Sequence, residues 1–310
     1  MGCSNLRNFG GLTHLSKVLF SRDFCRSRAK KPRFMTICCN GKLLDLSTPR
    51  IMGILNSTPD SFYDGGRFAD PRAAMLRAEQ LLGEGADFLD VGGYSTRPGA
   101  GQVSESEELG RVVPLVEKLA REFPEARISV DTFRSRVARE TLGAGAALIN
   151  DITAGEADPK MLPLLAEKQV PVILMHMRGT PATMSGLTDY DHLVTEVLEY
   201  LSGRLLAARE LGIVDVLADP GFGFAKTREQ NFELLGKLRH FGVLDVPILV
   251  GLSRKSMIWK TLGITPDEAL NGTTALHMAA LFGGASILRV HDAAAARECI
   301  HLWQAIGSPQ

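Results

Sequence analysis

The chain carries no net charge: Lys plus Arg and Asp plus Glu both number 35 over 310 residues. That balance argues against a general nucleic-acid binder and leaves room for a local basic patch. No apolar run approaches the roughly 20 residues that a membrane span needs, so neither nucleic acid nor membrane is expected as a partner. Cysteine is scarce. Cys3, Cys25, Cys38, Cys39 and Cys299 are odd in number and form no C-x-x-C. This argues against a disulfide framework or a structural zinc site and makes a reducing, cytoplasmic setting the default expectation. Paired zinc-binding histidines are missing too, since neither H-x-H nor H-E-x-x-H occurs. Phosphate loops are absent as well. The glycines from Gly221 to Lys226 lack the third member of G-x-G-x-x-G, and Gly251 to Ser256 lacks a G-K-[ST] ending at the required spacing. No convincing Ser-His-Asp or Cys-His set is present, so covalent catalysis by a protein nucleophile is not expected.

What remains is an ordinary globular composition, 45% hydrophobic and 23% charged. Its length suits one large domain or two small ones. Residues 1–34 stand apart. Arg7, Lys17, Arg22, Arg26, Arg28, Lys30, Lys31 and Arg33 face a single acid, Asp23. Such a start can be a transit peptide. Met1-Gly2-Cys3 hints at acylation, but Leu6 stands where the myristoylation pattern wants Ser or Thr. The reading adopted is a disordered leader, or an upstream start codon with Met35 the true beginning, ahead of one domain over 35–310.

Asn40-Gly41 between two short apolar runs predicts a type I′ hairpin that would close the bottom of a barrel. From Ile51 the pattern becomes apolar strand, polar strand end, amphipathic helix. Strands are predicted from Ile51 and at 88–91, 128–130, 146–149, 171–175, 214–218, 247–250 and 286–288. Helices are predicted at 71–83, 104–123, 135–142, 159–168, 191–211, 228–239, 266–282 and 293–305. Ser104 with Glu107 three residues on reads as a capping box. Apolar strands without alternation are buried on both faces. Eight of them, each followed by a helix, predict an α/β fold of the (β/α)8 TIM-barrel type with an N-terminal β-hairpin. A doubly wound open sheet is the runner-up.

In a barrel of this kind the active site lies at the C-terminal strand ends. Those ends carry Asn56, Ser95-Thr96-Arg97, Asp131, Asn150, His176, Asp219, Lys255, Arg289 and His291. Asp131 and Asp219 alone read as helix caps, and Asn150 as a loop residue. Together the two carboxylates and the amide supply the donors and acceptors that the edge of a flat nitrogen heterocycle needs, such as a pterin or purine. Arg97, Arg289 and His291 are a cationic set suited to phosphate oxygens, against a plain reading as surface ion pairs. Asn56 is a candidate Mg2+ ligand through its amide oxygen, with diphosphate and water completing the shell. Lys255 either packs on the ring or stands in solvent. Ser256 opens a helix whose N–H groups suit a carboxylate. His176 reads as structural, and Phe224 as packing or as lining the pocket.

Ile54-Leu55-Asn56-Ser57-Thr58-Pro59-Asp60-Ser61-Phe62 resembles the opening signature of the dihydropteroate synthase family. The resemblance continues in Asp90-Val91-Gly92-Gly93-Tyr94-Ser95-Thr96-Arg97-Pro98-Gly99, Ser129-Val130-Asp131-Thr132, Ile149-Asn150-Asp151 and Met175-His176-Met177. It ends in Asp219-Pro220-Gly221-Phe222-Gly223-Phe224, Gly251-Leu252-Ser253-Arg254-Lys255-Ser256 and Arg289-Val290-His291-Asp292. Eight motifs in order from about Arg50 onward are far more specific than any one of them. The resemblance implies a folate-pathway transferase, a target of sulfonamides, that joins (7,8-dihydropterin-6-yl)methyl diphosphate to 4-aminobenzoate with Mg2+. It implies that Asp131, Asn150, Asp219 and Lys255 hold the pterin. Thr96, Arg289 and His291 would contact the diphosphate-bearing substrate, and Asn56 would be the Mg2+ ligand. The loops at 59–62 and 95–98 would close over the reacting atoms and shape the aminobenzoate pocket beside Ser256. Where the family's pattern has Glu, this chain has Tyr94, which bears on that loop's hydrogen bonding. A related class, the methyltetrahydrofolate-dependent corrinoid methyltransferases, shares the pterin-holding barrel but needs no diphosphate or Mg2+ site. A homodimer is expected, with Leu276, Leu281 and Phe282 as a candidate contact face and packing on the barrel as the alternative.

Overall fold

A computed structural model describes residues 35–56, 71–94 and 103–307. It opens with the hairpin, β1 (Thr36–Cys39) and β2 (Lys42–Asp45), paired antiparallel in the register Ile37 to Leu44. Asn40 and Gly41 sit at φ +49° and +74°, the two left-handed residues that a type I′ turn requires.

Eight parallel strands follow. They are β3 (Arg50–Asn56), β4 (Phe88–Gly92), β5 (Arg127–Asp131), β6 (Leu148–Asp151), β7 (Val172–Met175), β8 (Val216–Asp219), β9 (Leu249–Val250) and β10 (Ile287–Val290). In space they run β8-β7-β6-β5-β4-β3-β10-β9, and a parallel bridge between Ala218 and Ile248 joins β9 back to β8. The sheet is therefore a closed (β/α)8 barrel, as the alternating pattern predicts.

The outer ring is α1 (Pro71–Gly83), α2 (Glu105–Glu122), α3 (Ser135–Gly143), α4 (Met161–Lys168), α5 (Leu193–Glu210), α6 (Arg228–Gly236), α7 (Ser256–Leu262), α8 (Leu270–Phe282) and α9 (Ala293–Ile306). The Ser104 hydroxyl caps α2 by accepting from the Glu107 N–H at 3.2 Å. Thr227 and Gln230 form the reciprocal capping box of α6. Two predicted helices differ. The one expected over 228–239 ends at Gly236, with a 3-10 segment at Leu238–Leu244 after it. The stretch expected as helix over 266–282 starts only at Leu270, and the short α7 precedes it. Gly263, left-handed at φ +69°, ends α7, and the Thr265 hydroxyl and N–H are held by the Glu268 carboxylate. That local turn spans residues which helical spacing alone assigns to the helix.

Side-chain alternation along the strands sorts the interior into two levels. Outward residues such as Ile51, Leu55, Leu89, Val91, Ile128, Val130 and Leu174 share one core with the helices. Inward residues low in the barrel, Met52, Phe88, Leu148, Ile173, Leu217, Leu249 and Ile287, form a second core with the hairpin's Ile37, Cys39 and Leu44. The hairpin thus plugs the lower mouth, and the Cys38 N–H donates to the Asp215 carboxylate at 2.9 Å to tie it there. Higher up, the inward positions turn polar: Asp90, Ser129, Asp131, Asn150 and Asp219. Of the suggested dimer face, Leu281 is buried in the core, and Leu276 and Phe282 are half-buried against it.

Candidate active site

The polar rim is built by strand register. Gly92 of β4 lies opposite both Asn56 of β3 and Asp131 of β5, and Asp131 lies opposite Asn150 of β6. A side chain at Gly92 would begin 3.5 Å from the Asn56 amide oxygen and 3.6 Å from the Asp131 Cβ. Glycine therefore leaves open the space between these two residues.

Arg289 crosses into the same space from β10. Its Nε donates to Asp90 Oδ2 at 2.6 Å, and a terminal nitrogen donates to Asp131 Oδ2 at 2.8 Å. Burial works against the guanidinium's charge, but the carboxylates of Asp90 and Asp131 outweigh it and hold the group firmly protonated. Burial pushes Asp131 up to about 7; Arg289 opposes this, and the charges of Asp90, Glu108 and Asp151 reinforce it. Asp219 also rises, again mainly through burial, with Lys255 pulling the other way. Its Oδ1 accepts the Gly221 N–H at 2.7 Å. Lys255 is brought down to about 8 by burial and feels both Asp219 and Asp131. Asp131, Asp219, Lys255 and Arg289 thus form one electrostatic cluster. The helix-cap reading fails for Asp131, since the N-cap of α3 is Arg134.

Lys255 answers the alternatives left by the sequence. Its ammonium donates to the Phe222 carbonyl and lies 4.7 Å from the Phe224 ring centroid. It packs into the site, and Phe224 lies beside it. Ser256 is the first residue of α7 and is exposed. His291 is positioned by Ser253, whose hydroxyl lies 3.1 Å from Nδ1 and accepts the His291 N–H at 3.2 Å. Beside it, Arg254 grips both Asp292 carboxylate oxygens at 2.8 and 2.9 Å, bracing the β9 end against the β10 end. Thr96 and Arg97, with the loops at 59–62 and 95–98, lie outside the described residues.

His176 is buried, and its partner is a residue the sequence reading passed over. Lys226 is buried, and its ammonium contacts His176 Nδ1 at 2.9 Å, the Gly221 carbonyl at 3.0 Å and the Phe224 carbonyl at 3.1 Å. Burial and then the Lys226 charge push His176 down to about 2, so its neutral imidazole accepts from the ammonium. Burial brings Lys226 itself down to about 7. The loop after β8 is therefore folded around a buried amine. Gly221 has no alternative there: φ is +74°, and a Cβ would stand 2.0 Å from the His176 carbonyl oxygen.

Asp90 is the other omission. It is fully buried, accepting from Ser129 Oγ at 2.6 Å and from Asn150 Nδ2 at 3.3 Å in addition to Arg289. Its signal in the sequence is a carboxylate inside an otherwise apolar strand, Phe88-Leu89-Asp90-Val91. Tyr94 packs edge-on to Phe133 at 5.4 Å, with Arg134 5.7 Å from its ring centroid. Arg134 also pairs with the buried Glu108 carboxylate and donates to the Val103 carbonyl at 2.7 Å.

Among the described residues no three His, Cys, Asp or Glu side chains cluster to hold a metal. The donor the described residues do offer, the amide oxygen of Asn56, is of the kind that suits a cation taking most of its shell from substrate phosphates and water. No helix among the described residues is long and apolar enough to cross a membrane.

A TIM-barrel whose C-terminal strand ends bring carboxylates and a fixed arginine together has its polar groups where enzymes of this fold place their active sites. The chain belongs to the pterin binding enzyme family, whose pattern it matches over residues 52–291. It is 46% identical over 260 residues to the dihydropteroate synthase of Escherichia coli strain K12, covering 83% of this chain and 92% of that one. Among solved structures, Xanthomonas albilineans dihydropteroate synthase with 4-aminobenzoic acid superposes with a TM-score of 0.83 at 43% identity, covering 90% of this chain and all of that one. The same enzyme in complex with 7,8-dihydropteroate gives 0.80 at 41% identity, covering 89% of this chain and all of that one.

Proposed function

We propose that this chain is a dihydropteroate synthase, condensing (7,8-dihydropterin-6-yl)methyl diphosphate with 4-aminobenzoate to give 7,8-dihydropteroate and diphosphate. One observation carries the reading: Asp131 and Asp219, two carboxylates whose acidity burial weakens, both act on the same two cations, Lys255 and Arg289. Asn150 stands next to Asp131 in register.

In this reading Asn150, Asp131 and Asp219 hydrogen-bond the pterin's N–H, amino and carbonyl edge, and Lys255 and Phe224 flank the ring. Arg289 and His291 face the diphosphate, and Thr96 and Arg97 are further candidates to contact it. Asn56 would hold Mg2+ through its amide oxygen, and the ion would neutralise the leaving diphosphate. The bond from the methylene carbon to the diphosphate oxygen breaks, and positive charge spreads from that carbon into the ring. Asp131 and Asp219 stabilise this charge from fixed positions, while Arg289 and His291 take the departing negative charge. The arylamine nitrogen then bonds to the carbon and sheds its proton. Ser256 at the start of α7 receives the aminobenzoate carboxylate. No side chain becomes covalently attached.

The test is diphosphate release by the purified protein. Release that requires both substrates and Mg2+ supports the reading. Release with neither dependence, or none at all, removes it.

A further inference from the structure

We infer that Asp90 is a positioning residue of this site, a single carboxylate that orients both the arginine facing the anion and the amide facing the ring. The inference rests on the functional reading above and assigns a role to a residue that touches neither substrate.

The geometry is specific. Asp90 Oδ1 accepts only the Ser129 hydroxyl among the described side chains, at 2.6 Å. Oδ2 accepts Arg289 Nε at 2.6 Å and Asn150 Nδ2 at 3.3 Å. Ser129 lies directly opposite Asp90 in strand register, one level below the rim. The hydroxyl thus fixes the carboxylate plane from below, and the plane fixes two residues above it. Arg289 spends two of its five N–H donors on carboxylates of different strands, Asp90 on β4 and Asp131 on β5. Two anchors at different angles leave the guanidinium no rotation about its long axis. Asn150 needs its amide nitrogen turned towards Asp90 so that its oxygen is presented to the other side.

Burying a carboxylate mid-strand costs several kcal/mol unless it is paired and hydrogen-bonded, so an apolar residue would serve a purely structural strand better. Here the charge has a second effect. Asp131 faces Arg289 from β10, Asp90 from β4, Glu108 from α2, Asp151 from β6 and Lys255 from the loop after β9. Asp90 shares Arg289 with Asp131, and its negative charge makes ionising Asp131 harder. Removing that charge gives Arg289 wholly to Asp131 and lowers the pH at which Asp131 ionises.

Asp90→Asn separates this role from mere packing. Diphosphate release by the parent enzyme is measured first; if that fails, the functional reading fails and not this inference. With an active parent, Asp90→Asn is expected to lower kcat/KM for the pterin substrate about tenfold or more, and to move the acid limb of its pH profile down by about one unit. An unchanged kcat/KM, or a loss of rate with the limb unmoved, overturns the inference. Should Asp90→Asn not fold, Ser129→Ala carries the test, since it frees the carboxylate plane but keeps its charge. It is expected to raise KM for the pterin substrate about threefold or more with the limb in place. Parent-like KM there overturns the inference too.

Discussion

His277 makes the most quantitative prediction. It sits in α8, 1% exposed, and neither ring nitrogen has a hydrogen-bond partner among the described residues. Burial pushes it down to about 4, with Asp292 opposing. An unsatisfied buried polar group costs about 1–3 kcal/mol at any pH, so His277→Leu, of similar volume, is expected to stabilise the fold by roughly that much near pH 7.5. A second contribution depends on pH. In the unfolded chain the imidazole protonates near about 6.5, while in the fold it stays neutral until about 4. Between those values the unfolded state binds the extra proton. The parent's stability is therefore full above about 6.5 and falls as pH drops towards about 4. At about pH 5 the loss works out to about 2 kcal/mol, which the leucine variant does not suffer. Urea unfolding of parent and variant at the two pH values measures both contributions. The variant's advantage should widen by about 2 kcal/mol on acidification; an advantage that is the same at both pH values, or absent, refutes the reasoning.

Lys226→Met leaves two carbonyls and an imidazole nitrogen without their donor. It is expected to cost on the order of 2 kcal/mol in urea unfolding and to raise KM for the pterin substrate, because the loop that meets Lys255 and Phe224 loosens. An unaltered KM would show that the loop holds its shape without the amine. Asp131→Asn should slow diphosphate release by about a hundredfold or more in single-turnover measurements, through loss of charge beside the developing cation; a parent-like rate counts against that role. Ile37→Ala in the hairpin should cost about 2–5 kcal/mol of stability by opening a cavity in the lower core, yet leave kcat/KM unchanged at temperatures where the variant is folded. A changed kcat/KM with a full native signal would connect the two mouths.

The barrel is legible in the sequence because its strands are short apolar runs with punctuation at their ends, and the hairpin because Asn40-Gly41 leaves few other conformations. Helix ends were less legible. The turn held by Thr265 and Glu268 depends on side-chain hydrogen bonds that residue spacing does not encode. Residues at strand ends, such as Asp131, Asn150, Asp219 and Arg289, could be assembled into a site from their order alone. Asp90 and Lys226 could not. Asp90 lies one level below the rim, inside a strand, and Lys226 lies seven residues past a strand end, so neither occupies the position where function is sought. What reveals them is the set of partners, contributed by Ser129, Asn150 and Arg289 in one case and by His176 and Gly221 in the other.

The plug has a consequence for how the molecule is made. Among its described residues, the hairpin leaves the ribosome first, yet the side chains that cover it arrive late. Cys38 waits for Asp215, 177 positions on, and Ile37 for Leu249 and Ile287. At ordinary elongation rates the nascent chain carries that uncovered apolar face for roughly ten seconds or longer. The lower mouth can be sealed only when the last strand is delivered, so the hairpin, though early to emerge, is among the last segments to find its place.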